Sequence, residues 1–160
     1  MLILNSGGTF NKRYNEYTGE LEVPYDNYAI EMIMDSISLK DQLAGVVYKD
    51  SLEMTSDDRK MLANIIMESS EKKFLIIHGT DTMDKTAEFL DEVFSDRTII
   101  ITGAMKPFEI DKIEATLNFG IAFGFLKAND ENGVYITMNG FVDHWSKVVK
   151  NRSLGKFESV

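Results

Sequence analysis

Two short stretches carry residue types suited to chemistry: Ser6-Gly7-Gly8-Thr9 and His78-Gly79-Thr80-Asp81-Thr82. Each follows an apolar run, Leu2-Ile3-Leu4 or Phe74-Leu75-Ile76-Ile77, and the second precedes an amphipathic segment from Met83 to Phe94. A strand that runs into a tight turn before a helix displays hydroxyls and amides at the strand's carboxyl end, where open parallel sheets do their work. The chemistry such turns suit is nucleophilic. A threonine hydroxyl attacks poorly until a neighbour removes its proton. The helpers in this chain are carboxylates, lysines, tyrosines and two histidines. Asp81 can orient a lysine or bind a substrate ammonium, and Tyr14 or Tyr17 can fold back over Thr9. The amides of Gly8, Thr9 and Thr80 sit where oxyanion donors are found. Together these parts can support acyl transfer through a threonine acyl-enzyme.

The same residues also have plain structural readings. Thr9 can simply close a strand-to-helix turn, and Thr80 with Asp81 can cap a helix that starts near Thr82. His78 can be a satisfied structural histidine, His144 beside Trp145 can be surface packing, and Lys147 and Lys150 can be solvated charge. Two histidines far apart in sequence suggest no metal site. Neither a glycine-rich dinucleotide fingerprint nor a Gly-Lys-Ser/Thr phosphate loop is present, so nucleotide binding has no support and no cofactor is expected.

The elements that must position these turns alternate between strand and helix. Leu2-Ile3-Leu4, Gly45-Val46-Val47-Tyr48, residues 74–77, Thr98-Ile99-Ile100-Ile101 and Val134-Tyr135-Ile136-Thr137 read as strands. Between them lie helical patterns. One is capped by Asp26 with Ile30, Ile33, Met34 and Ile37 inward; a second opens on a capping box at Thr55 and Asp58 with Leu62, Ile65 and Ile66 inward. A third buries Met83, Ala87, Leu90 and Phe94, and a fourth, capped by Asp111, turns Ile113, Leu117, Ile121 and Phe125 inward. Residues 10–25 show no period and read as a functional loop, and Asn139 to Val160 read as polar and irregular. The alternation predicts a three-layer α/β domain with a doubly wound, mostly parallel sheet of the flavodoxin or Rossmann-like kind. With strand order 2-1-3-4-5 the switch point falls between strands one and three, and Thr9 and Thr80 line one crevice.

Composition bounds the partners. The 160 residues suit a single domain; 44% are hydrophobic and 27% charged, as in globular proteins. A formal net charge of -9 argues against nucleic acid and anionic membranes, which call for a basic patch. The absence of cysteine excludes disulfides and thiolate metal sites. The first strand begins almost at Met1, which leaves no room for a signal peptide, and no apolar run is long enough to span a bilayer, so a cytoplasmic location is expected.

Three segments in order carry a family resemblance: Ser6-Gly7-Gly8-Thr9; His78-Gly79-Thr80-Asp81-Thr82-Met83 followed by Thr86-Ala87-Glu88-Phe89-Leu90; and Gly103-Ala104-Met105-Lys106-Pro107. Together they resemble the amino-terminal domain of the bacterial-type L-asparaginases and asparaginase/glutaminases, across residues 2–158. The resemblance implies hydrolysis of the side-chain amide of L-asparagine, or a close analogue, to a carboxylate and ammonia, with no metal. It implies Thr9 as the acyl-forming nucleophile, Thr80 as the second threonine, and Asp81 as the ligand of the substrate's α-ammonium. Lys150 matches the lysine paired with the second threonine, with Lys147 as the alternative. The family's flap tyrosine matches Tyr14 or Tyr17, with Tyr14 favoured by its spacing to Thr9. Gly8, Ser51, Glu53, Gly79 and Ala104 complete the substrate-binding set. The expected domain is 1–160, without the family's smaller carboxy-terminal domain, and the expected assembly is a homodimer or homotetramer acting on a small amino-acid amide. A non-catalytic amino-acid-binding module, or a subunit that needs a partner domain, is the alternative.

Overall fold

The apolar runs become neighbouring strands because each can be buried on both faces. The computed structural model describes residues 1–160. In chain order its strands are β1 (Leu2–Gly7), β2 (Arg13–Asn15), β3 (Glu20–Glu22), β4 (Gln42–Lys49), β5 (Lys73–Ile77), β6 (Thr98–Thr102), β7 (Gly133–Met138), β8 (Phe141–His144), β9 (Val148–Asn151) and β10 (Lys156–Ser159). The helices are α1 (Tyr28–Ser36), α2 (Ser56–Glu68), α3 (Met83–Val93) and α4 (Lys112–Ala128). The central sheet runs β4-β1-β5-β6-β7-β8 and is parallel except for β8, which pairs antiparallel with β7. Its first five strands realise the expected order 2-1-3-4-5.

Alternate residues of each strand feed opposite layers, as the pleat requires. Leu2, Leu4, Phe74, Ile76, Ile99 and Ile101 pack on one face with Leu62, Ile66, Met83, Ala87 and Leu90 of α2 and α3. On the other face Ile3, Leu75, Ile77 and Ile100 pack with Ile30 and Ile33 of α1 and with Ala115, Phe119 and Ala122 of α4. Asn5 of β1 lies level with both Gly45 and Ile77. The turns that follow β1 and β5 therefore leave the sheet side by side.

Several local expectations change. Residues 10–25 are not an aperiodic loop: a 3-10 turn over Thr9–Asn11 leads into the antiparallel β2–β3 hairpin. That ribbon is mostly solvated, so its strands show no apolar alternation. Asn139 to Val160 is likewise structured, as β8 and a separate β9–β10 ribbon. β9 and β10 bury one side chain each, Val148 and Phe157, too few to register as a pattern. The residue that caps α1 is Asn27, although the Asp26 carboxylate still accepts the Tyr28 N–H at 3.1 Å. Ile37 lies beyond that helix and is exposed. In α4, Ile113 and Leu117 face solvent, and Ala115, Asn118, Phe119, Ala122 and Leu126 face the core. That helix is apolar nearly all round, so side-chain size misleads about which stripe is covered. The Thr55–Asp58 capping box and the Asp111 cap form as expected.

Candidate active site

The first turn is locked by buried amides. Asn5 Oδ1 accepts from Gly7 N–H at 3.0 Å and from Asn11 Nδ2 at 2.9 Å, and Asn11 Nδ2 also donates to the Gly7 carbonyl at 2.7 Å. Asn5 Nδ2 donates to Asn27 Oδ1 at 3.0 Å, which explains why that side chain does not cap its own helix. Ser6 Oγ donates to the Ile77 carbonyl at 2.7 Å and ties the end of β1 to the end of β5. Gly8 has a φ of 77°, and a Cβ there would lie 2.4 Å from Gly79 Cα. The two turns are thus in backbone contact, and Thr9 leaves the first while Thr80 leaves the second. Thr9 is half-buried.

The second turn is held from behind by groups whose roles no local pattern announces. His78 is fully buried; its Nδ1–H donates to the Gly79 carbonyl at 2.8 Å, which leaves Nε2 to accept from the Thr86 hydroxyl at 2.8 Å. Arg59 Nε donates to Thr86 Oγ1 at 3.0 Å and Arg59 Nη2 to Thr82 Oγ1 at 3.2 Å. Burial, aided by the nearby Arg59 charge and only partly offset by the Gly79 hydrogen bond and Asp84, pushes the His78 pKa down to about 4. The histidine is neutral and structural. One signal exists in the sequence: Thr86 is a polar residue on the buried Met83–Ala87–Leu90 stripe, and such a residue demands a partner.

Ser51 closes the turn from the β4 side. It is buried, its Oγ accepts from Asp81 N–H at 3.1 Å, and its carbonyl accepts from the Thr82 hydroxyl at 2.7 Å. Gly79 is required beside it, since a Cβ there would lie 2.6 Å from Ser51 Cβ. Glu53 is exposed two residues on. Lys12 Nζ and Asp50 pair at 2.6 Å and bridge the Thr9 loop to the Ser51 turn. Burial alone would raise the Asp50 pKa, but Lys12 and the Leu52 N–H overcome it and hold the carboxyl below its usual range. Ala104 is buried beyond Gly103, and Glu114 of α4 accepts from Met105 N–H at 2.8 Å and from Lys106 N–H at 3.1 Å.

The charged centre assembles from β9. Lys150 Nζ lies 2.8 Å from Thr80 Oγ1 and 2.8 Å from Asp81 Oδ1. Val148 and Phe157 anchor its ribbon in the core, and the Lys150 ammonium stands 5.9 Å from the Phe157 ring centroid. Lys147 instead ends a 3-10 turn and is exposed. The Lys150 hydrogen bond is the main cause that holds the Asp81 carboxyl below its usual range; burial opposes it and Arg152 adds to it. Arg152 Nη1 lies 2.6 Å from Asp81 Oδ1 and Nη2 lies 3.1 Å from the Asp81 carbonyl. A cavity of about 170 Å³ is bounded by Thr80, Asp81, Asp84, Lys150 and Arg152. A wider cleft of about 530 Å³ runs between the β2–β3 hairpin and the Asp50–Glu53 turn. Tyr14 is 57% and Tyr17 100% exposed on that hairpin, and neither hydroxyl hydrogen-bonds Thr9. The structure therefore brings together Gly8, Ser51, Gly79, Thr80, Asp81 and Lys150, with Thr9 adjacent, and leaves both tyrosines outside.

A mostly parallel α/β sheet in this strand order has counterparts among known proteins. The fold is that of solved L-asparaginases: the thermostable L-asparaginase from Thermococcus kodakarensis superposes with a TM-score of 0.84 at 23% identity, over 99% of this chain and 50% of that one. The family model "Asparaginase, N-terminal" matches residues 1–160, and the chain belongs to that family. L-asparaginase 2 of Escherichia coli (strain K12) is 30% identical over 161 residues, covering 96% of this chain and 46% of the relative. One component of the glutamyl-tRNA(Gln) amidotransferase of Methanococcus maripaludis (strain C5) is 34% identical over 149 residues, 86% of this chain and 34% of the relative. The chain thus spans about half the length, or less, of the relatives it matches. No helix is long and apolar enough to cross a membrane.

Proposed function

We propose that the chain is an L-asparaginase-like amidohydrolase that converts L-asparagine, or a close analogue, to the acid and ammonia. The observation that carries this is Lys150 Nζ at 2.8 Å from both Thr80 Oγ1 and Asp81 Oδ1, in a chain of the asparaginase family. In this reading Thr9 Oγ attacks the amide carbon and the C–N bond breaks. Ammonia leaves with the proton the hydroxyl gave up, and a threonine ester remains. Water then attacks the ester beside the Thr80 hydroxyl, which the Lys150 ammonium orients. The water's hydroxyl stays on the acyl carbon, the ester C–O bond breaks, and the water's proton passes by way of Thr80 to the departing Thr9 oxygen. The amides of Thr9 and Thr80 serve the developing oxyanion; the Gly8 N–H, expected from the sequence to join them, is instead donated to the Lys49 carbonyl at 2.8 Å. Ser51, whose Oγ proton has no internal acceptor, holds the substrate carboxylate beside Gly79, Glu53 and Ala104. Tyr14, or in its place Tyr17, reaches Thr9 only when the β2–β3 hairpin folds inward over a bound substrate. The enzyme is cytoplasmic and works as a homodimer or homotetramer.

Ammonia release from L-asparagine tests this reading. Thr9→Ala and Thr80→Ala, each with unchanged circular dichroism, are expected to lose roughly 10²-fold to 10⁴-fold in rate. Equal silence of the wild type and both variants over a panel of small amides refutes it. A second reading is favoured by the likeness to a component of the glutamyl-tRNA(Gln) amidotransferase: the chain works as a subunit with a separate partner. Robust turnover by the purified chain alone eliminates that reading. Aspartate binding without turnover would instead mark a binding module.

A further inference from the structure

Arg152 changes what the Asp81 carboxylate can do. Two cations converge on one oxygen: Lys150 Nζ at 2.8 Å and Arg152 Nη1 at 2.6 Å both approach Asp81 Oδ1, and Arg152 Nη2 adds the Asp81 carbonyl at 3.1 Å. The guanidinium is delivered by a built turn. Asn151 Oδ1 accepts from the Ser153 hydroxyl at 2.7 Å and from Leu154 N–H at 3.2 Å, and Gly155 takes a φ of 62° before β10 begins. Asn151 Nδ2 also donates to Glu158 Oε2 across the ribbon at 2.9 Å. The charged side chains that bound the cavity are Asp81, Asp84, Lys150 and Arg152, and their formal charges cancel. Without Arg152 they would leave one net negative charge, the balance that suits an ammonium.

We propose that Arg152 is a specificity-determining residue that occupies Asp81 in place of a ligand ammonium. It biases the Thr9–Thr80–Asp81 site toward monoamides of dicarboxylic acids without a free α-ammonium, of which succinamate is the simplest. This rests on the proposed function, with the substrate between Thr9 and Thr80 and its α-carbon toward Asp81. Thr9, Ser51 and Gly79 do not line the Asp84–Lys150–Arg152 cavity, which meets that site only at Thr80 and Asp81. Arg152 has no part in breaking the amide bond; it acts through the charge that Asp81 offers.

Binding of the two product-like acids, measured by calorimetry on the whole chain, tests this without any need for turnover. L-aspartate carries the α-ammonium and succinate lacks it. The wild type is expected to favour succinate. In Arg152→Gln the ratio of aspartate to succinate affinity should rise about fivefold, the scale of a partly exposed ion pair. Arg152→Lys, which keeps the charge, should hold the ratio near that of the wild type, whereas a merely structural role would move both variants together. An unmoved ratio in Arg152→Gln, equal movement in both variants, or no binding of either acid to the wild type overturns the proposal. A shifted ratio in a protein that releases no ammonia upholds the role of Arg152 and refutes the amidohydrolase reading.

Discussion

The buried His78 makes stability sensitive to mild acid. In the fold its pKa is about 4, chiefly because burial penalises the imidazolium, whereas an unfolded histidine titrates near roughly 6.5. Between these values the unfolded chain holds more protons than the folded one, so stability falls as pH drops. The loss begins near the unfolded pKa and is complete below the folded one. Two and a half units correspond to a ceiling of about 3 kcal/mol, and about 2 kcal/mol is gone by about pH 5. That is a large share of the net stability of an ordinary domain. Urea unfolding at a series of pH values gives the slope, with His78→Gln as the reference. Glutamine retains a donor and an acceptor but does not titrate, so its stability profile should be flatter by this amount between about pH 6.5 and pH 4. The imidazole resonances of the folded protein report the same quantity directly. A folded His78 that titrates near its usual value, or profiles that run parallel, would refute the assignment of a neutral histidine wired between Thr86 and the Gly79 carbonyl.

Two further outcomes follow from local geometry. Gly8→Ala puts a Cβ against Gly79 in a backbone region with φ of 77°. The strain alone costs about 1–3 kcal/mol, which in a chain of this size lowers Tm by roughly 3 °C per kcal/mol, and ammonia release should fall with it. Thr55→Ala removes the acceptor of the Asp58 N–H at 3.3 Å. It should cost about 1 kcal/mol in chemical unfolding and leave the affinity for aspartate unchanged, since neither Thr55 nor Asp58 lines the cavity at Thr80 and Asp81.

Much of the frame is legible in the residues because burial on both faces writes an unbroken apolar run. Residues 74–77 and 98–101 have no other use in a small domain. The capping box at Thr55 and the cap at Asp111 are legible for a different reason: few residue types can satisfy a free helix N-terminus. The limits of legibility are equally physical. α4 lacks a polar face, so Ile113 and Leu117 look as buried as Phe119. The β9–β10 ribbon carries Lys150 to Thr80 across 70 positions of sequence, and no local pattern encodes such a meeting. Asn5, Asn11, Arg59 and Arg152 escape a reading of the sequence because a polar residue reveals its partner only in three dimensions. Lys150 itself stands out through family resemblance; by composition and spacing alone it reads as surface charge.

The β9–β10 ribbon gives the chain two levels of cooperativity. Its strands pair only with each other, through four register positions, and share no ladder with the central sheet. Phe157 and Val148 hold it down, helped by Phe157 N–H donating to Asn139 Oδ1 at 2.7 Å. Releasing it removes Lys150 and Arg152 together while β1, β5 and their turns stay paired. The free energy that keeps the charged centre assembled is therefore a sub-global one, smaller than that of the whole domain. On warming or in denaturant the Lys150–Asp81 and Arg152–Asp81 contacts are expected to be lost before the central sheet, and to return when that short hairpin docks again.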